Sequence, residues 1–218
     1  MTAIAPRSKA SIQGRPARRM LLGPADDGRR VSLELFARAE AQPGFLYELG
    51  NGVIEVTEIP GMPHNWVVEH IEILLRLYQA AHREVVAYMS GGIGAQVELW
   101  GRETERHPDI SIYLSPPPQD VDQLWDRWVP EIVIEVVSAS SAKRDYGDKA
   151  DDYLAAGVRE YWLIDPLKKI ATFHTRRGDM WDKKTVGTKG KWKTRLLPGF
   201  TLELSKVFAA SNSRRRGK

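Results

Sequence analysis

One acidic residue inside a strand-forming apolar run restricts how this chain can fold. The run spans residues 132–137 and is interrupted by Glu135. A near-continuous Val/Ile run is typical of a strand that is buried on both faces, and a charge in such a strand is costly unless it is paired, protonated or bound to a metal. Because side chains alternate along a strand, we expect Glu135 to share a face with Val133 and Val137.

A second acid, Asp109, opens another apolar run, which covers residues 110–114. From the end of its strand, the Asp109 carboxylate could reach the same space as that of Glu135. Two carboxylates that a sheet brings together suit a divalent cation that prefers oxygen ligands. Two simpler interpretations stay open: Asp109 is also a common turn residue at the start of a strand, and Glu135 could pair with a buried Arg or Lys.

The composition is that of a single soluble domain. The 218 residues are enough for one substantial core and too few for two full domains. No apolar run approaches the ~20 residues of a membrane span, and the N-terminus lacks the apolar segment of a secretory signal. The chain has no cysteine, which excludes disulfides and thiolate metal ligands. We therefore predict a cytoplasmic location without a membrane partner.

The positive charge of the chain lies in its termini. Nine of the 32 basic residues fall in the two ends, which contain no acid, so residues 21–213 hold 23 basic and 28 acidic residues. We predict flexible basic tails at residues 1–28 and 208–218 around a single domain at residues 29–207. Such tails can contact phosphate backbones, but they can equally be solvated segments without such a role.

Hydrophobic periodicity and turn residues predict a mixed sheet flanked by helices, an α/β (α+β) arrangement with an added hairpin or meander at each end. Helices are predicted at residues 33–39, 64–83 and 142–156. Strands are predicted at residues 45–49, 53–57, 85–89, 95–100, 109–114, 131–138, 161–164 and 169–175, with a meander at 190–204. A three-residue loop, Gly50-Asn51-Gly52, is predicted to join the first two strands.

Several short motifs resemble those of the Uma-two family of endonucleases, and together they span about residues 30–205. Uma-two proteins belong to the restriction-endonuclease-like fold group, whose active site is written P-D…(D/E)-x-K. The matching residues are Tyr47-Glu48, His64, Pro108-Asp109, the strand around Glu135, Arg144-Asp145, Lys149, Tyr153 and the segment 157–166, which ends in Asp165-Pro166.

This resemblance implies a restriction-endonuclease-like fold and a nuclease that hydrolyses phosphodiester bonds in DNA with Mg²⁺ or Mn²⁺. At the matching positions, the carboxylates of Asp109 and Glu135 hold the metal, and the backbone carbonyl of Val136 completes its protein ligands. Glu48 matches a further acid of the family. The bound ion would polarise the phosphoryl group and lower the pKa of the attacking water.

The chain departs from the fold-group pattern at one position. A Lys is expected two residues after the second acid, but Val137 stands there. Lys149, on the next predicted helix, matches a Lys of the Uma-two pattern, and its long side chain could place the ammonium at the same spot. A simpler interpretation pairs Lys149 with Asp145 on an exposed helix face, and makes Glu48 a residue that merely flanks a hairpin.

Three other residues have a functional and a structural interpretation. His64 is most simply a residue at the start of a helix. Trp181 and Trp192 stand among five lysines and are candidates for a surface that follows phosphates. A solvated Lys-rich hairpin accounts for them equally well.

Three functions are compatible with these residues. The first is the metal-dependent endonuclease. The second is a nucleic-acid-binding module of the same fold that has lost catalysis, which Val137 favours. The third is a small-molecule hydrolase that uses the same acids in a closed apolar pocket. The acidic body is unusual for a protein that binds a duplex, and a homodimer could bring two basic surfaces to one duplex.

Overall fold

The computed structural model describes residues 19–119 and 127–211, so the predictions for the rest of both tails lie outside the described residues. The helices in these ranges are Leu33–Ala37 (α1), Met62–Ala81 (α2), Ala142–Tyr146 (α3), Asp148–Ala156 (α4) and Leu204–Ala210 (α5). The strands are Leu21–Leu22 (β1), Glu40–Ala41 (β2), Phe45–Gly50 (β3), Val53–Glu58 (β4), Tyr88–Ser90 (β5), Val97–Leu99 (β6), Thr104–Arg106 (β7), Ile110–Tyr113 (β8), Ile132–Val136 (β9), Glu160–Asp165 (β10), Ile170–Arg177 (β11), Met180–Gly187 (β12), Lys191–Trp192 (β13) and Leu202–Glu203 (β14).

Two sheets carry most of the chain. The larger sheet has six strands in the order β12-β11-β10-β9-β8-β5, in which β9 and β10 run parallel and the other neighbours run antiparallel. The smaller sheet is antiparallel and has the order β4-β3-β7-β6. The predicted mixed sheet with flanking helices is confirmed. The N-terminal hairpin of β3 and β4 belongs to the smaller sheet.

Strand β9 is covered on both faces, as its apolar sequence predicts. On one face, Ile132, Ile134 and Val136 join a core that includes the inward face of α2. On the other face, Val133 and Val137 join a second core that includes residues of α4. Because side chains alternate along a strand, Glu135 lies on the side of this second core. The sheet thus directs one carboxylate toward α4.

Local backbone chemistry changes two of the predicted boundaries. Asn51 and Gly52 adopt positive φ angles of 50° and 76°, which is the two-residue hairpin turn that matches strand twist. Gly50 therefore ends β3, and the predicted three-residue loop is wrong by one residue. The predicted helix at 142–156 is broken at Gly147, whose φ of −119° and ψ of −98° are not helical.

Two elements near the C-terminus differ from the prediction. Strand β12 pairs with β11 over its whole length but is mostly exposed, so its sequence lacks the alternation that identifies a half-buried strand. The predicted meander at 190–204 contains the short strands β13 and β14 and leads into helix α5. Leu204, Val207 and Phe208 of α5 are buried in the core that contains α2.

The described ends of the chain are packed against the rest of the structure. Leu22, within the predicted tail 1–28, is buried in a cluster with Leu33 and Phe36. Helix α5 extends past residue 207, where the C-terminal tail is predicted to begin. In the part of the chain that the structure describes, no helix combines the length and apolarity needed to cross a membrane.

A histidine in β11 is buried in its neutral form. The side chain of His174 stacks on the ring of Tyr161 with 5.0 Å between centroids, and its Nδ1 donates a hydrogen bond to the Tyr161 carbonyl at 3.2 Å. Burial lowers the pKa of His174 to about 4. The ordinary pKa of an unfolded histidine is about 6.5, so between these values the unfolded chain binds a proton that the folded chain excludes.

We expect this histidine to destabilise the fold as the pH falls from about 6.5 to about 4, with a maximal cost of about 3 kcal/mol and no cost above that window. Urea unfolding at a series of pH values measures the effect. The variant His174→Gln should show a shallower decline in the free energy of unfolding across this window. His82→Gln, at a half-exposed position, is the control. An identical decline in wild type and His174→Gln would contradict the expectation.

Candidate active site

All of the residues predicted for the site line one cleft of about 540 Å³. Glu48 comes from β3 in the smaller sheet, and Glu135 comes from β9 in the larger sheet. Asp109 immediately precedes β8, and Lys149 lies in the first turn of α4. Val136, next to Glu135, also lines the cleft. Residues that are far apart in the sequence are therefore brought together by both sheets and one helix.

A buried lysine joins the acids of the two sheets. The Lys149 Nζ lies 2.9 Å from Glu135 Oε1 and 3.1 Å from Glu48 Oε2. It also lies 3.6 Å from Asp145 Oδ1, one helical turn earlier. The Tyr153 hydroxyl donates a second hydrogen bond to Glu135 Oε1 at 2.5 Å. Lys149 and Asp145 are 5% and 1% exposed, so the interpretation of these two as an exposed helix pair is wrong.

The charges in this cluster are unequal, because three buried carboxylates surround one ammonium. Burial acts against the charge of Glu48, but Lys149 and the Arg106 guanidinium outweigh it and lower the pKa of Glu48 to about 2. Burial raises the pKa of Glu135 to about 8, although Lys149 opposes it. Burial likewise raises the pKa of Asp145 to about 6. The pKa of Lys149 is raised, since its acidic neighbours outweigh burial, and the group stays protonated.

Arg106 supports the cluster from behind. It is 1% exposed and lies 3.6 Å from Glu48 through its Nη1. The same guanidinium donates to Glu55 Oε2 at 2.6 Å and, through Nε, to Asp152 Oδ2 at 2.9 Å. Because Glu48 and Glu55 face each other across the hairpin, the guanidinium separates two like charges. It also ties the smaller sheet to α4.

Asp109 is fixed by one backbone and one side-chain contact. The Val136 N–H donates to Asp109 Oδ2 at 2.7 Å, which places this carboxylate beside β9. The His64 Nε2 lies 3.2 Å from the same oxygen. Burial acts to lower the pKa of His64, but the Asp109 carboxylate outweighs it and the pKa is raised. His64 stands in the first turn of α2, so the longest helix orients this acid.

The comparison with known sequences decides the family. The sequence model of the Uma2 (Uma-two) family, described as "Putative restriction endonuclease", matches residues 33–205. The chain belongs to this family. Membership supports a nuclease-type function. No curated protein matches the sequence.

A solved structure confirms the fold of this Uma-two protein. It is described as "a putative nuclease belonging to DUF820" and comes from Anabaena variabilis ATCC 29413. The two chains superpose with a TM-score of 0.68 and 13% identity, and the match covers 83% of this chain and 99% of that one. At this level of identity, the likeness establishes a shared mixed α+β fold and carries no residue roles.

The structure explains why a lysine is absent at Val137. Val137 is 1% exposed and packs in the second core with Ala150 and Tyr153. A lysine at that position would have to enter an apolar cluster. Lys149 instead approaches Glu135 from α4, and thereby puts an ammonium beside the second acid.

Proteins of the restriction-endonuclease-like group typically use divalent metals, which require side chains that can bind a cation. In residues 19–119 and 127–211, no group of three or more His, Cys, Asp or Glu side chains is arranged to hold a metal ion. The two acids Asp109 and Glu135 nevertheless offer the carboxylate oxygens that Mg²⁺ and Mn²⁺ prefer. Asp145 Oδ1 is buried without a hydrogen bond among these residues. The local excess of negative charge fits a cation.

Sequence reasoning named Asp145 and Tyr153 only as residues that match the family motifs, and gave them no role in the site. Asp145, Lys149 and Tyr153 recur at intervals of four residues, which is the spacing of one helix face. That regularity could have identified Asp145 and Tyr153, although Gly147 breaks the helix between them. The contact of His64 with Asp109 could not be predicted from spacing, because it joins residues 45 positions apart.

The two tryptophans among the lysines are packed inward. The Trp181 Nε1 donates to the Ala150 carbonyl at 2.8 Å. The Trp192 ring stacks on Phe173 with 4.1 Å between centroids. These contacts support the structural interpretation of Trp181 and Trp192 over that of exposed platforms for nucleic-acid bases.

We expect Lys149→Met to lower the free energy of unfolding by about 3–5 kcal/mol, because it leaves the acidic cluster without its ammonium. The matched control is Lys143→Met, at an exposed position on α3. Urea unfolding of both variants measures the difference. The double variant Lys149→Met/Glu135→Leu should recover part of the loss, since it removes one uncompensated acid. Equal stabilities of wild type and Lys149→Met would refute this account of the cluster.

We expect Gly91→Ala to displace Asp109. A Cβ at Gly91 would lie 1.9 Å from the Asp109 carbonyl oxygen, a backbone atom that cannot turn aside. The control is Gly101→Ala, where an added Cβ meets nothing within 4 Å. Thermal unfolding and the NMR signals of the His64 ring report the change. Unaltered His64 signals together with wild-type stability in Gly91→Ala would contradict the expectation.

Proposed function

We propose that this protein is a metal-dependent endonuclease that hydrolyses phosphodiester bonds in DNA. One observation carries the proposal: Lys149 lies 2.9 Å from Glu135 in the cleft that Asp109 also lines. The two acids and the basic side chain of the fold-group pattern are thus gathered in one place, although the lysine comes from α4. Membership of the Uma-two family supports the same reaction class.

The residues divide into those that hold a cation and those that act on the phosphate. Asp109 and Glu135, with the backbone carbonyl of Val136, would hold Mg²⁺ or Mn²⁺. When bound, the cation would neutralise phosphate charge and lower the pKa of the attacking water. Lys149 stabilises the negative charge that develops on the phosphoryl oxygens. Glu48 remains ionised and keeps the Lys149 ammonium in place.

His64 and Tyr153 serve as positioning residues in this scheme. His64 holds the Asp109 carboxylate against β9, so that Asp109 is oriented before substrate binds. Tyr153 donates to the same oxygen of Glu135 as Lys149 does. A fixed geometry of this kind lowers the reorganisation needed in the transition state.

A specific observation also favours the second function, a nucleic-acid-binding module without catalysis. Glu135 is 3% exposed, and its Oε1 already accepts hydrogen bonds from Lys149 and Tyr153. If these donors held Oε1 permanently, only the second carboxylate oxygen, Oε2, would remain for a cation. Both functions predict binding of nucleic acid, and only the endonuclease predicts cleavage.

The deciding experiment measures cleavage of a mixed DNA pool with Mg²⁺ or Mn²⁺ by wild type, Asp109→Asn and Glu135→Gln. We expect both substitutions to reduce the rate at least ~100-fold, because each removes a charged ligand that the reaction needs. Asp151→Asn, an exposed acid on α4, is the matched control and should cleave like wild type. Unfolding curves verify that each variant is folded.

The possible results separate the functions. Cleavage that persists in Asp109→Asn and Glu135→Gln would refute the assigned site. Absence of cleavage by wild type, with salt-sensitive DNA binding intact, would identify the binding module. Hydrolysis of small phosphodiesters that does not respond to salt, without DNA cleavage, would identify a small-molecule hydrolase.

A further inference from the structure

A second concave surface, here called the basic groove, lies at the other end of the larger sheet. It has a volume of about 510 Å³ and is formed by the start of β10, the end of β11 and the segment that follows β13. Four exposed basic side chains line it: Arg159, Arg177, Lys193 and Arg195. Within the described ranges, none of the four lies within 4.0 Å of a carboxylate oxygen.

The two other charged residues that line the basic groove, Glu160 and Arg176, already have hydrogen-bond partners. Glu160 is 5% exposed, and its two carboxylate oxygens accept hydrogen bonds from Thr194 and from the Trp162 indole at 2.5 and 2.8 Å. Arg176 donates to the Leu154 carbonyl at 2.5 Å. The four exposed cations therefore retain a strong local excess of positive charge.

The basic groove is separate from the cleft of the proposed active site. The two surfaces share no lining residue. Glu160 pairs with Ile132, whereas Leu163 pairs with Glu135, so the two positions are three residues, or about 10 Å, apart along the sheet. Trp192 of the basic groove packs on the core that contains α2, whereas Glu135 lies on the side of the second core.

The two surfaces have opposite charge. Seven acidic residues and two basic residues line the cleft, so the cleft without a cation repels a phosphate backbone. Affinity for nucleic acid normally comes from Lys and Arg contacts to phosphates. The basic groove supplies such contacts from three separate segments of the chain, a spread that suits consecutive phosphates of a polymer.

We propose that the basic groove binds the phosphodiester backbone of nucleic acid and anchors the nucleic acid at a distance from the cleft. The anchoring role rests on the proposed nuclease function, whereas backbone binding does not. Arginine and lysine contacts to phosphates carry no base information, so the site binds without sequence preference. Its occupancy is set by salt concentration.

Fluorescence anisotropy of a labelled DNA duplex in EDTA tests the inference, since no cleavage occurs without a metal. The groove variant is Arg177→Ala/Lys193→Ala/Arg195→Ala. The control variant, Lys183→Ala/Lys184→Ala/Lys189→Ala, removes three exposed charges near the same hairpin and outside the groove. We expect the groove variant to bind at least ~10-fold more weakly at about 100 mM salt, and its salt slope to fall by roughly 2–3. The control variant should bind like wild type.

The same proteins are assayed for metal-dependent cleavage, so that the two proposals can fail separately. Three results would each overturn the proposal for the basic groove: equal losses of DNA affinity in the groove and control variants, no loss in the groove variant, or no DNA binding by wild type. Selective loss in the groove variant supports it, whether or not wild type cleaves DNA. Absence of cleavage alongside that selective loss would refute only the nuclease. A parallel titration with an RNA duplex shows whether the backbone alone is recognised.

Discussion

The proposed site depends on a single ammonium group that is buried among acids from two sheets. Without Lys149, the carboxylates of Glu48, Glu135 and Asp145 would face one another in a region that excludes water, at a cost of several kcal/mol. With it, β3, β9 and α4 can meet. The same group lies where the proposed reaction requires a positive charge. Stability and the proposed function therefore depend on the same side chain.

The hydrogen-bonding pattern of β9 connects the fold to the site. Its apolar residues form both cores, and the single acid in the strand points toward α4 because alternation leaves it no other direction. The neighbouring N–H of Val136 holds Asp109, so one strand positions both acids. Gly147 separates α3 from α4. Lys149 therefore lies in the first turn of a separate helix, near Glu135.

Periodicity and the cost of burial are local properties, and they were sufficient to predict five strands of the larger sheet and to single out Glu135 and Asp109. Glu48 and Lys149 were identified through the resemblance to the Uma-two family. Glu135 could be identified because a charge in a Val/Ile run needs a reason. The partners of Lys149 could not be derived from spacing, since they depend on how the smaller sheet docks. The contact between His64 and Asp109 depends on the placement of α2. Strand β12 was missed because an exposed edge strand carries no alternating pattern.

Arg106 affects how the structure opens locally. Its guanidinium connects Glu55 of the smaller sheet to Asp152 of α4, beside the contact between Glu48 and Lys149. These bonds are polar contacts across the junction between the two sheets, and the cleft lies at that junction. A fluctuation that parts the sheets would disassemble the cluster and withdraw Val97 of β6 from the second core. The site is therefore complete only while the two sheets stay docked, and an opening at their junction would disrupt it without complete unfolding.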